Sequence, residues 1–96
     1  MKYFHRTSIS PDAAIERATE FFGRCLTPTE ETPRSRQFTG SFGRIRVVVQ
    51  AEGGHYTLIT VATDQPGESE ADKLAKRFLT MVHSLADPAH QVRGAY

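Results

Sequence analysis

Four histidines (His5, His55, His83 and His90) and the single Cys25 are the residues of this chain best suited to chemistry. A histidine near neutral pH can carry a proton or ligate a metal. A cysteine becomes a nucleophile when a base or a positive field strips its proton. The spacing supports neither use. No histidine stands at zinc-motif spacing from another histidine, a cysteine or a carboxylate. Arg24 precedes Cys25, but neighbours in sequence point apart on a helix. No Ser-His-Asp order and no paired-carboxylate motif stands out. GSFG at 40–43 and EGGH at 52–55 carry turn glycines between strands, not a phosphate loop opening a helix. The sequence therefore implies no cofactor and no metal, and Cys25 reads as a small buried core residue.

Arginines form the second cluster: Arg34, Arg36, Arg44 and Arg46. A basic sheet face can grip phosphates. Stacking of single-stranded bases needs aromatic residues on the same face, and none falls there. The formal net charge of +1 gives little overall pull toward nucleic acid or anionic membrane. Nucleic-acid binding through these arginines stands as an alternative that the composition argues against.

A chain of 96 residues fits one domain. With 39% hydrophobic and 24% charged residues it has the composition of a globular protein. Lys2 to Ile9 alternate as a strand, with Tyr3, His5, Thr7 and Ile9 on one side and Phe4, Arg6 and Ser8 on the other. Ser10 caps a helix whose first position suits Pro11, and Ala14, Ile15, Ala18, Phe21, Phe22 and Cys25 form its apolar stripe. The segment 27–37, with two prolines, reads as a long mobile loop. Three strands follow, turning at Phe42-Gly43 and at Gly53-Gly54. A last helix starts at Ser69, with Asp72 at the capping-box position, and stops at Pro88.

The expected fold is α+β, in the order β-α-β-β-β-α. A four-stranded antiparallel sheet of order 1-4-3-2 carries both helices on one face. The domain covers residues 1–88, and 89–96 form a flexible tail. One cysteine, no signal-like apolar run and no membrane-length segment place the expectation in the cytoplasm, away from membranes.

If Gly53-Gly54 is a two-residue turn, Glu52 lies opposite His55, Val49 opposite Leu58 and Val47 opposite Thr60. Ile45, Val47 and Val49 then face the helices. The open face carries Arg44, Arg46, Val48, Gln50, His55, Ile59 and Val61: a small apolar centre in a polar rim, the anatomy of an interface. The expectation is a non-enzymatic module that forms a homodimer through this face or holds a small apolar or anionic ligand there. The enzymatic alternative places a site between the open face and the 27–37 loop, with His55 as acid or base.

Two stretches carry a resemblance. YFHRTSISPDAAIERATEFF (3–22) is similar to the opening of the START-like (Bet v 1-like) superfamily, in which a strand enters a helix through a polar-proline step. HYTLITVATDQPGESEADKLAKRFLTMVHSLAD (55–87) resembles that superfamily's last strand and long helix. The element order also looks like the helix-grip and TATA-binding-protein-like architectures. The resemblance implies a curved antiparallel sheet packed on a helix after the first strand and on a long C-terminal helix. START-like proteins have several more strands and enclose a cavity. Here the expected sheet is an open saddle that a face-to-face dimer would close, and the resemblance assigns no residue a role.

Overall fold

A computed structural model describes residues 1–86 of the protein. His90, Pro88 and the expected tail 89–96 lie outside the described residues. The elements are β1 (Lys2–Thr7), α1 (Pro11–Gly23), β2 (Thr27–Thr32), β3 (Ser35–Gly40), β4 (Gly43–Glu52), β5 (Tyr56–Thr63) and α2 (Glu70–Ala86). All strands join one antiparallel sheet in the order β1-β5-β4-β3-β2. The α+β class and the antiparallel sheet with two helices are as expected, but the described residues form five strands, not four.

The added strand is β2, inside the segment read as a loop. Its sequence, TPTEET, is exposed at every position, so no apolar alternation betrays it. Two features fit it to an edge. Threonine suits the pleated backbone. Pro28 lacks an N–H, and a register shift between Pro28 and Glu30 absorbs the irregularity.

The helices start where the sequence places them. The Ser10 Oγ accepts the backbone N–H of Ala13 at 3.1 Å. The Ser69 Oγ accepts that of Asp72, also at 3.1 Å. Each satisfies a donor left open by the first turn. Both helices pack on one face of the sheet. Ala14, Ile15, Ala18 and Phe22 of α1 and Ala71, Ala75, Phe78 and Val82 of α2 join Phe38, Ile45, Val47 and Val49 in one buried cluster. The Phe22 ring meets those of Phe38 and Phe78, with centroids 5.4 and 5.0 Å away. Cys25 is exposed rather than buried, and Leu26 enters the core instead.

The strand β5 lies the other way up from expectation. Glu52 pairs with Tyr56, so the hairpin loop holds Gly53, Gly54 and His55. Both glycines adopt positive φ, which turns the chain tightly without a side-chain clash. The third loop residue shifts the register by one, and a one-residue shift moves every side chain of a strand to the opposite face. Val47 therefore pairs with Val61 and Val49 with Ile59. Ile59 and Val61 are fully buried against the helices and are not part of the open face. Leu58, Thr60 and Ala62 take their place there.

Candidate functional site

The outer face of the sheet, on which no described helix packs, can be built row by row from the pairing. Phe4 lies opposite Thr60, Thr60 opposite Val48, and Val48 opposite Ser35. One row toward the hairpin, Leu58 stands between Arg6 and Gln50. One row the other way, Ala62 stands between Lys2 and Arg46. Phe4 is 64% exposed, a large value for an aromatic ring in mid-strand. Val48, Leu58, Thr60 and Ala62 are partly exposed around it.

Charged pairs rim this centre. Arg6 pairs with Glu52, and Arg46 reaches Glu30 on β2 at 3.4 Å. Farther out, the backbone N–H of Arg44 donates to the Asp64 carboxylate at 2.8 Å, and the Gln65 amide adds a second donor at 3.1 Å. These two bonds, the first above all, hold the Asp64 carboxyl below the usual carboxylate range. Arg44 and Arg46 share a shallow hollow of about 190 Å³ with Gln37, Ala62 and Thr63.

Of the residues singled out from sequence, Arg44, Arg46, Val48 and Gln50 stand on this face. His55 is exposed at the hairpin tip. It borders a hollow shared with Ser10 and Pro11 at the start of α1, away from the apolar centre. Ile59 and Val61 are excluded by burial. Phe4, Leu58, Thr60 and Ala62 were missed. The alternation of the first strand already set Phe4 apart from Tyr3 and His5, so its placement was legible. The arginines do not form one patch. Arg34 turns to Asp12 at 2.6 Å. Arg36 lies on the helix side, where it donates to the Thr19 hydroxyl at 3.2 Å and sits 3.9 Å from Glu31.

A cleft of about 370 Å³ lies between β1 and α2. Tyr3, Phe4 and His5 line its strand side; Leu79, Thr80, His83 and Ser84 line its helix side. The imidazoles of His5 and His83 meet edge to face, with centroids 5.7 Å apart. The Nε2 of His5 is buried and has no hydrogen-bond partner among the described residues. Burial first, and the neighbouring His83 second, hold His5 below the ordinary histidine pKa.

No family model, curated protein or solved structure matches this chain. The geometry must therefore carry the functional reading alone. Among the described residues, no group of three or more His, Cys, Asp or Glu could hold a metal ion. No described helix is long and apolar enough to cross a membrane.

The lowered pKa of His5 has a testable sign. The unfolded chain binds a proton at His5 more readily than the folded chain does. Stability is thus fully present above the unfolded histidine value, about 6.5, and falls as the pH drops through the window below it. His5→Gln should flatten this fall. Urea unfolding at a series of pH values between neutral and mildly acid measures it. Parallel profiles for the two proteins would show that His5 contributes nothing to the dependence.

Proposed function

We propose that this protein is a non-catalytic module that pairs with a second copy of itself through the outer face of its sheet. The observation that supports this best is Phe4. Phe4 is 64% exposed, on the same face as Leu58, Val48 and Ala62, and no described helix covers that face. A sheet face that meets only water normally alternates to polar residues. An apolar centre within a charged rim is instead how interfaces are built.

The rim supports a second copy as the partner. It carries both signs, with Lys2, Arg6, Arg44 and Arg46 near Glu30 and Glu52. A two-fold axis lets the arginines of one copy meet the glutamates of the other while the two apolar centres stack. The enzymatic alternative has less to stand on. The 27–37 segment forms the β2–β3 hairpin, and His55 lies at the tip of another hairpin.

Native mass spectrometry and sedimentation of the full chain test the reading. The wild type should appear at twice the monomer mass in the micromolar range. Val48→Asp buries an unpaired charge in the middle of the contact and should weaken association at least about 100-fold. It should leave the fold intact, because Val48 is only partly buried on the outer face. A wild-type monomer at these concentrations, or a Val48→Asp dimer as tight as the wild type, would overturn it. A monomer carrying extra mass would move the same face to a bound ligand.

A further inference from the structure

We infer that β1 takes up an extended peptide as a sixth strand, and that the peptide it selects places acidic residues on either side of an apolar stretch. The N-terminal nitrogen of Met1 donates to the Thr63 carbonyl at 3.0 Å, and the Thr63 N–H donates back to Met1 at 2.8 Å. Bonded and non-bonded pairs alternate along an antiparallel ladder. Tyr3, His5 and Thr7 therefore exchange bonds with Val61, Ile59 and Thr57. The N–H and C=O groups of Lys2, Phe4 and Arg6 point the other way. There β1 ends the sheet, and no described strand meets them.

That edge is flanked on both sides by space for side chains. On the helix side lies the 370 Å³ cleft of Tyr3, His5, Leu79 and His83. On the outer side lies a hollow of about 200 Å³ lined by Phe4, His5, Arg6 and Leu58. Phe4 and His5 border both, so the two hollows flank the same stretch of β1. Successive side chains of an added strand point to opposite faces. Residues opposite Tyr3 and His5 would enter the cleft, and a residue opposite Phe4 would lie on the outer face. Main-chain bonds supply affinity in this mode and the alternate pockets supply selectivity.

Charge chooses the peptide. The side chains at the two ends of the edge are Lys2 and Arg6, both exposed. Glu52, which pairs with Arg6, is the only acidic side chain paired with either of them among the described residues. Acidic residues directly opposite Lys2 and Arg6 are favoured, and basic ones are repelled. The same charges turn away a second copy of β1, since antiparallel pairing centred on Phe4 would set Lys2 against Arg6. They guard the edge against self-pairing, as charges on edge strands do. A second copy's β2 carries acidic residues, but Pro28 and the adjoining register shift interrupt its ladder.

The test is fluorescence anisotropy of the full chain with a labelled peptide, TELVLET, and its charge-reversed counterpart, TKLVLKT. TELVLET should bind saturably below about 1 mM, and TKLVLKT about tenfold or more weakly. Phe4→Pro removes an outward N–H while sparing every bond from β1 to β5, and should abolish binding. Thr80→Arg, at an exposed position on the helix wall of the cleft, should weaken it. Val48→Asp, which weakens the dimer without touching this edge, should bind TELVLET at least as tightly as the wild type, because the dimer also draws on Phe4, Lys2 and Arg6. Amide shifts in the wild type keep the test independent of how Phe4→Pro folds; they should concentrate on Lys2, Phe4 and Arg6. Equal binding of the two peptides, no binding of TELVLET, or shifts centred elsewhere would overturn the inference.

Discussion

Ile59→Ala is expected to lower the stability by about 3 kcal/mol, whereas Leu58→Ala should cost less than about 1 kcal/mol. The two residues are neighbours of similar size and hydrophobicity, so composition does not separate them. The register does. Ile59 is fully buried opposite Val49, on the face packed by the helices. Its truncation leaves a cavity in a close-packed core. Leu58 lies on the outer face and is partly exposed, so the shortened side chain leaves no closed void. For a domain whose net stability is about 5–15 kcal/mol, the first loss is severe and the second slight. Urea unfolding of both variants at low protein concentration, where any dimer dissociates, measures the difference. The reverse order of losses would mean that β5 pairs one residue out of register and that Ile59 and Val61 line the outer face.

This contrast also explains how much of the fold was legible. Two turns were misplaced from sequence, with unequal consequences. At the first, a two-residue turn at Phe42-Gly43 would set Phe38 opposite Val47, whereas Phe38 pairs with Ile45. That is a shift of two, so Phe38, Ile45 and Val47 stayed on the core face. At the second, a shift of one inverted β5. Side-chain alternation has a period of two and forgives even errors only. Gly53-Gly54 looks like a complete two-residue turn, and nothing local says that His55 belongs to the loop. The two faces of β5 do differ. Thr57, Ile59 and Val61 are β-branched throughout, while Tyr56, Leu58, Thr60 and Ala62 are mixed. A continuous β-branched set matching Val47 and Val49 was the available signal.

The helices were more legible because their information is local. Ser10-Pro11, Ser69 with Asp72, and apolar residues at steps of three and four require no knowledge of partners. The strand β2 was not legible, since an exposed edge strand has no buried face to impose a pattern. The cleft was not legible either. His5 and His83 lie far apart in sequence, and only the placement of α2 over β1 brings their rings together.

Asp72→Ala is expected to cost about 2–3 kcal/mol, a large loss for one polar side chain near a helix start. Its carboxylate is fully buried. One oxygen accepts the Glu68 N–H at 2.9 Å and faces the Lys76 ammonium at 3.3 Å. The other has no partner among the described residues. Glu68 itself has a φ of 68°, in the left-handed region that favours glycine. The Asp72 carboxylate therefore accepts a part-buried hydrogen bond from a strained residue. It also receives the positive end of the α2 dipole. Alanine removes the acceptor and leaves that donor unpaired. Asp72→Asn keeps an acceptor oxygen and gives up only charge, so its loss should be near 1 kcal/mol. Glu68→Gly relieves the backbone strain, and in that background the cost of Asp72→Ala should shrink. A double-mutant cycle by urea unfolding reads the coupling directly. Additive losses would separate the carboxylate from the turn. A gain in stability on Asp72→Ala would show that burying the carboxylate is a net burden, and that α2 is held over the cleft by its apolar stripe.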